Sequence, residues 1–249
     1  MDNRQVFPLL YDLHHSYHLE DIPFWYELAR KNPGVILELG CGTGRVTIPL
    51  AESGCRMVAL DHDIHMLKFL KSKLTLFQKP RPAYLLADMC AFHFSRLFET
   101  IILPCNTLST LTPNQRQAAF QCIANHLKPE GLFSASMPNP NVLHKLPASA
   151  ASEMEEILFH PLNGNPIQVS SSWKRLKDTF LITWHYDHLF PDGRIERVSK
   201  QVLHHLDPIS MILSELDLAG LTIIELLGSF DRTPYTLDSK EVIFICTPK

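Results

Sequence analysis

The chain has 249 residues, enough for one large α/β domain or two small ones, with 45% hydrophobic and 20% charged residues. Its net charge of −3 and lack of a long basic run argue against a nucleic-acid-binding surface. No secretory signal is found, and no apolar run approaches the roughly 20 residues of a membrane span. Because the six cysteines form no C-x-x-C pair, we expect reduced thiols in a cytoplasmic protein without nucleic-acid or membrane partners.

The first elements in chain order are a helical segment and a buried strand. Residues 21–31 (DIPFWYELARK) predict a helix, with Asp21 as its cap and Pro23 in its first turn. The apolar run 35–39 (VILEL) is typical of a strand buried on both faces. Residues 1–33 are therefore predicted to be a helical segment ahead of the core.

Helices and strands then alternate up to residue 137. The sequence predicts helices at 44–53, 63–77 and 114–127, and strands at 56–60, 83–87, 100–104 and 132–137. This alternation predicts a parallel sheet with helices on both faces.

The pattern changes after residue 137. Four alternating segments (155–160, 167–176, 180–190 and 194–206) predict an antiparallel β insertion over about 140–206, with a hairpin at the PDG turn. A helix at 208–219 and strands at 221–227 and 241–247 follow. We expect one domain over residues 1–249: a doubly wound, Rossmann-like α/β fold with a seven-stranded sheet, C-terminal antiparallel strands, and the β-rich insertion as a lid or dimer surface.

The stretch LELGCGTGRV, at 37–46, predicts a nucleoside-binding turn. Its three glycines let the backbone approach a ligand at the N-terminus of a helix. Asp61 ends the next strand, about 20 residues on, where a carboxylate can accept both ribose hydroxyls. The spacing is G-x-G-x-G, and Arg45 stands where a dinucleotide motif has its third glycine. A negative charge on Glu38 would oppose a pyrophosphate and attract an ammonium group, which favours S-adenosylmethionine over NAD.

These motifs resemble those of the class I S-adenosylmethionine-dependent methyltransferases, small-molecule type. The resemblance rests on LELGCGTG, the acid at 61, LLADMC, LPCNTLSTL and LKPEGLF in that order, and it covers most of the chain. Glu130 replaces the usual glycine in the last motif. The resemblance implies bound S-adenosylmethionine and these cofactor-binding residues: Glu38, Gly40, Cys41, Gly42, Gly44, Asp61, His62, Asp88, Met89 and Cys105.

The resemblance also implies what each part of this set does. The glycine turn cradles the methionine part, and Asp61 binds the ribose hydroxyls with His62 beside the adenine. Asp88 meets the adenine amino group, and Met89 gives a backbone N–H to the ring. The LPCNTLSTL segment, with Cys105, faces the sulfonium and the acceptor.

Three residues are candidates for the catalytic set. Asn106 lies nearest the expected methyl group, although it is equally explained as a strand-end turn residue. Tyr11 and Tyr17 can shield the cofactor or orient the acceptor, or can simply pack an N-terminal helix. The Pro-Pro-aromatic run of enzymes that methylate nucleobases is missing, so we expect a small-molecule acceptor, methylated at nitrogen or oxygen.

Other interpretations stay open. One is a nicotinamide-dependent oxidoreductase, which Glu38 and Arg45 disfavour. Another is a non-catalytic module that binds the cofactor or dimerises through the insertion. The 13 histidines include no H-E-x-x-H motif and no cysteine–histidine cluster, so no metal site is predicted. The chain is expected to be a monomer or a homodimer.

Overall fold

The computed structural model describes residues 3–77 and 81–249; residues 1 and 2 of the predicted segment 1–33 lie outside this description. The helices are α1 (Asn3–His15), α2 (Ile22–Lys31), α3 (Thr47–Glu52), α4 (Ile64–Lys73), α5 (Pro113–His126), α6 (Pro140–Lys145) and α7 (Ile209–Leu218). The strands are β1 (Val35–Leu39), β2 (Arg56–Asp61), β3 (Ala83–Leu86), β4 (Phe98–Leu103), β5 (Leu127–Pro138), β6 (Ser149–Phe159), β7 (Pro166–Arg175), β8 (Thr179–Leu189), β9 (Ile195–His205), β10 (Leu221–Leu227) and β11 (Glu241–Pro248).

The main sheet has seven strands in the order β10-β11-β5-β4-β1-β2-β3. Strands β1 to β5 pair in parallel, whereas β11 runs antiparallel to both β5 and β10. The chain moves outward from β1 to β3 and then returns to place β4 on the other side of β1. The predicted doubly wound fold is confirmed, and β1 and β4 flank the switch point where such folds bind ligands.

Helices cover both faces of this sheet, because its central strands are apolar on both sides. All five residues of β1 are buried. On one face, Phe120 of α5 and Leu216 of α7 belong to the apolar cluster that includes Leu37. On the other face, Trp25 of α2 and Leu50 of α3 pack with the neighbouring Ile36. The two-sided burial that VILEL predicted is therefore confirmed.

Several predicted boundaries differ from the structure. The predicted helix at 44–53 begins only at Thr47, because the residues before it form the turn. The predicted helix at 63–77 ends at Lys73 and continues as a short 3₁₀ turn. Asp63 caps it as expected by accepting from the His65 N–H, whereas Asp21 makes no capping bond and instead accepts from the indole N–H of Trp25 at 2.8 Å.

The insertion forms a second, four-stranded antiparallel sheet in the order β6-β7-β8-β9, between β5 and α7. The PDG turn closes the β8–β9 hairpin, with Gly193 at φ +86°. Leu10 of α1 packs with Ile167, Val169 and Tyr186 of this sheet, so the N-terminal helix and the insertion form one layer. Within 3–77 and 81–249, no helix is long and apolar enough to cross a bilayer.

Candidate functional site

The glycine turn follows β1 and has the open backbone that the motif predicts. Gly40 and Gly42 have φ values of +66° and +53°, in the left-handed region that glycine adopts without strain. A side chain at Gly42 would meet Tyr11 Cε1 at 3.7 Å, so Tyr11 lies over the turn. Gly44 has a different role, because a Cβ atom at this position would lie 2.5 Å from Leu70 on α4. Gly44 therefore permits close helix packing beneath the turn.

Asp61, at the end of β2, is held against this turn. One carboxylate oxygen accepts from the Gly42 N–H at 2.7 Å and the other from the Asp63 N–H at 2.8 Å. Each oxygen keeps a lone pair, so the carboxylate can still accept from two hydroxyls. The side chain of His62 beside it is 81% exposed. This arrangement fits the ribose of an adenosyl group.

The segment after β3 completes the edge of the groove. Asp88 is exposed and accepts from the Cys90 N–H at 2.8 Å. Met89 is buried, and a side chain at Gly40 would lie 3.4 Å from its terminal methyl group. The residues expected at the adenine therefore border the turn expected at the methionine part.

Glu38 lies beneath the turn rather than facing it. Its carboxyl is buried and accepts a hydrogen bond from the Thr47 hydroxyl. Burial raises the pKa of Glu38 to about 8, although this hydrogen bond and the charge of Arg45 act in the opposite direction. A group that is largely protonated at neutral pH neither repels a pyrophosphate nor attracts an ammonium. The charge of Glu38 therefore does not discriminate against a dinucleotide.

Cys105 and Asn106 follow β4 in an unusual backbone conformation. Both have a φ of +62°, which is costly for residues other than glycine. The Asn106 carbonyl accepts from the N–H and the hydroxyl of Ser109, at 3.2 and 2.7 Å. The Asn106 side chain makes no capping bond to the 3₁₀ turn Thr107–Thr110. The backbone carbonyl of Asn106, and not its side chain, therefore caps the 3₁₀ turn. The side-chain amide is available to a ligand.

A cavity of about 730 Å³ opens beside Cys105 and Asn106. Its walls are aromatic, and acidic and histidine side chains project between them. The lining includes Tyr11, His15, His18, Glu20, Asp21, Arg45, Phe180, Trp184, His204, Phe230 and Glu241. Neither residues 40–44 of the turn nor Asp61 line it, whereas Cys105 and Asn106 at the end of β4 do.

The acids of the cavity are in different electrostatic states. Asp21 is neutralised by Arg45, whose guanidinium donates to its two oxygens at 2.7 and 2.6 Å and to the Cys105 sulfur at 2.8 Å. Glu241 is not paired in this way: its buried Oε2 has no hydrogen-bond partner among the described residues. Burial raises the pKa of Glu241, and the nearby Asp21 charge raises it further. A buried, unpartnered carboxylate oxygen in a cavity is a binding position for a donor.

His204 on β9 also lines the cavity, and sequence reasoning did not single it out. Its Nδ1 lies 2.8 Å from the Ser109 hydroxyl, which donates its own proton to the Asn106 carbonyl. Nδ1 is therefore the protonated nitrogen, and Nε2 is an acceptor. Burial, and next the adjacent His205, lower the pKa of His204 to about 4, so the ring is neutral at pH 7.

The remaining candidates separate clearly. Tyr11 is in the cavity, whereas the ring of Tyr17 is 75% exposed and outside the lining. On β8 the lining residues are Phe180, Ile182 and Trp184, the alternate positions to His185. Strand alternation in FLITWHYDHLF could have identified this set, but only if the face turned to the site had been known.

The comparisons with known proteins agree with this geometry. Residues 36–131 match the family model described as a methyltransferase domain. The chain is similar to the putative methyltransferase YqeM of Bacillus subtilis (strain 168), 34% identical over 111 residues that cover 44% of each protein. It is also similar to the cypemycin N-terminal methyltransferase of Streptomyces sp, 25% identical over 89% of this chain and 86% of that one.

A solved structure shows the same fold over nearly the whole chain. This is an S-adenosylmethionine-dependent methyltransferase from Clostridium acetobutylicum ATCC 824, with a TM-score of 0.79, 15% identity, and coverage of 93% of this chain and 92% of that one. Residues 36–131 thus match a methyltransferase domain, and the chain as a whole has the fold of an S-adenosylmethionine-dependent methyltransferase.

Proposed function

We propose that this S-adenosylmethionine-dependent methyltransferase methylates an amine nitrogen of a small molecule bound in the 730 Å³ cavity. The observation that carries the proposal is Glu241, which lines that cavity and whose buried Oε2 has no hydrogen-bond partner among the described residues. An ammonium or amine N–H supplies the missing donor and offsets the cost of burying the carboxylate. The cavity also falls in the size range typical of small-molecule sites, about 300–1,000 Å³.

The surroundings of Glu241 support a cationic acceptor. Glu20 adds a second acid to the lining, while Tyr11, Trp184 and Phe230 supply aromatic faces. Aromatic faces attract ammonium groups, and they exclude water from the reacting atoms. The cypemycin N-terminal methyltransferase, by its name, acts at an N-terminus, which is consistent with an amine acceptor.

Each side of the site then has a defined part in the reaction. Bound S-adenosylmethionine supplies an electrophilic methyl group on a sulfonium. We assign its adenosyl part to Asp61, Asp88 and the Met89 N–H, and its methionine part to the turn at Gly40–Gly42 with Cys105. Asn106 lies where the groove meets the cavity, and its amide is placed to orient the acceptor.

The acceptor nitrogen must lose a proton before its lone pair can attack. Glu241 binds the ammonium and accepts this proton, and its raised pKa makes it a stronger base than an exposed carboxylate. The neutral His204 accepts a second N–H through Nε2 and turns the lone pair toward the methyl group. Tyr11 covers the turn and keeps water out. In-line transfer then needs only alignment, which the two pockets provide.

An acceptor screen with matched variants tests this proposal. The purified protein is incubated with S-adenosylmethionine and a panel of primary amines, secondary amines and matching alcohols of similar shape. We expect methylation of amines, a loss of about 100-fold in kcat/KM for Glu241→Gln, and unchanged affinity for S-adenosylhomocysteine. Glu130→Gln, at an exposed acid, is the control.

Two results would overturn the proposal. If alcohols are methylated and amines are not, the acceptor atom is oxygen and not nitrogen. If Glu241→Gln keeps full activity on amines, the unpaired Glu241 carboxylate does not recognise the acceptor.

The insertion and the N-terminal segment together form the acceptor side in this proposal. Tyr11 and His15 of α1 face the cavity beside Phe180 and Trp184 of β8.

A further inference from the structure

Three potential metal ligands meet where α1 packs on the insertion sheet. They are His14 near the end of α1, His18 in the following turn and Glu156 on β6, and their donor atoms all lie within 4.8 Å of one another. Motif analysis predicted no metal site, since Glu156 is 138 residues from His18 and only the fold brings them together.

The spacing of two of these ligands already fits a zinc site. His14 Nε2 lies 3.3 Å from Glu156 Oε1. Tetrahedral zinc with bonds of about 2.0–2.1 Å separates neighbouring ligand atoms by about 3.3 Å. His18 is exposed on the turn after α1, so its side chain can swing inward to complete the set, while its carbonyl is held by the Arg45 guanidinium.

The second ring nitrogen of His14 has a hydrogen-bond partner, as that of a metal-bound histidine usually does. His14 Nδ1 lies 3.0 Å from the hydroxyl of Tyr186, a fully buried residue. This contact fixes the ring so that Nε2 points at Glu156. The ring is further enclosed by His15, stacked at 4.3 Å, and Trp184, edge-on at 4.7 Å.

His14 Nε2 and the Glu156 carboxylate face each other where α1 meets β6. A divalent cation between them accepts a lone pair from each group.

We propose that His14, His18 and Glu156 form a zinc-type site that ties the turn after α1 to β6 at the rim of the acceptor cavity. Two imidazoles and one carboxylate favour Zn²⁺ over Mg²⁺ and Ca²⁺, which prefer oxygen ligands. Three protein ligands leave a fourth position for water. Because His18 lines the cavity, the bound ion links the two acceptor-side segments where they meet the acceptor. This inference does not depend on the proposed amine specificity.

Metal titration of the full-length, tag-free protein, first treated with a chelator, tests the site. Zn²⁺ is titrated against a fluorescent indicator, and Co²⁺ is followed by its visible absorption. We expect one Zn²⁺ per chain, a four-coordinate Co²⁺ spectrum, and no competition from Mg²⁺ or Ca²⁺. Zn²⁺ should also raise the melting temperature, since it binds the folded state.

Variants of the exposed and half-buried ligands give the decisive comparison. His18→Ala and Glu156→Gln should each weaken Zn²⁺ affinity at least about tenfold, since loss of a mere outer partner costs about that much. Removal of an exposed histidine elsewhere, His144→Ala, should change nothing. Absence of stoichiometric Zn²⁺ binding to the native protein, or equal affinity in His18→Ala and His144→Ala, would overturn the proposal.

Discussion

The cofactor side and the acceptor side of the proposed site draw their side chains from different kinds of chain segment. On the cofactor side, the turn at Gly42, Asp61 and Asp88 follow β1, β2 and β3, which are neighbours in one parallel sheet. On the acceptor side, Tyr11 comes from α1, His204 from β9 and Glu241 from the start of β11. One side is assembled by adjacent strand ends, and the other by segments far apart in the chain.

This difference determines how each side responds to change. Asp61 touches the turn directly through the Gly42 N–H, so cofactor binding depends on a few local contacts. The cavity is held by packing between α1 and the insertion sheet, and a single side chain there contributes to a larger surface. We therefore expect substitutions on the cofactor side to affect binding of one ligand strongly, and those on the acceptor side to affect turnover in a graded way.

Asp61→Ala should have the largest effect. Two charge-assisted hydrogen bonds to ribose, each about 1.5–3 kcal/mol, correspond to a loss of more than about 100-fold in affinity for S-adenosylhomocysteine. Calorimetric titration measures this loss, with circular dichroism to verify that the fold is retained. Unchanged affinity in a folded variant would remove Asp61 from the cofactor site.

His204→Ala should lower kcat by about 10- to 100-fold with little change in affinity for S-adenosylhomocysteine. The reason is that its Nε2 is the neutral acceptor that orients the substrate, while the cofactor groove lies elsewhere. Steady-state kinetics on a methylated acceptor measure the effect. His205→Ala, on the opposite face of the same strand, should retain full turnover; equal losses in both would indicate a purely structural role for the β9 edge.

Variants of the two tyrosines should differ in the same steady-state kinetic assay. Tyr11→Phe removes a hydroxyl above the turn and should lower kcat/KM by about tenfold, whereas Tyr17→Phe should have no effect because its ring is 75% exposed. If Tyr17→Phe is the damaging change, the segment after α1 must close over the site during turnover.

Glu38→Gln should act on stability and its pH dependence. The folded-state pKa of about 8 is above the ordinary value of 4.5, so the unfolded chain loses this proton first as pH rises. The contribution of Glu38 to the free energy of unfolding is therefore fully present below pH 4.5 and is lost between pH 4.5 and 8. At pH 8 the variant should be more stable than the native protein by about 1–3 kcal/mol in free energy of unfolding, and at pH 4 it should not.

Denaturant titrations at both pH values measure that difference. The buried histidines act in the opposite direction below pH 6.5, but they are common to both proteins, so the difference isolates Glu38. A constant difference at all pH values would show that Glu38 stays ionised beneath the turn.

The arrangement that we assign to the cofactor side could be predicted from sequence because it depends on local interactions. A glycine turn between an apolar strand and a helix, followed by an acid at the next strand end, specifies the arrangement seen at Gly42 and Asp61. The parallel sheet with helices on both faces followed from the alternation of strands and helices. Even here, no local pattern shows that the Glu38 carboxyl is buried and that its pKa is raised as a result.

The acceptor side could be predicted only as a region. Alternation located the strands of the insertion, but it does not say which face turns to the ends of the main sheet, so Phe180 and Trp184 could not be identified as cavity residues. The role of His204 depends on its hydrogen bond with Ser109, which lies 95 residues away in the chain. Glu241 became notable only when its carboxylate was found buried without a partner.

The paired left-handed residues Cys105 and Asn106 carry a consequence for protein engineering. Holding non-glycine residues in the left-handed backbone conformation costs on the order of 1–3 kcal/mol each. This strain is located where the cofactor groove and the cavity meet. Replacing Cys105 by glycine relieves strain at the price of a more flexible junction. A thermostability campaign will therefore find its easiest gains where catalytic alignment is most easily lost, and a library that spares these two positions separates the two properties.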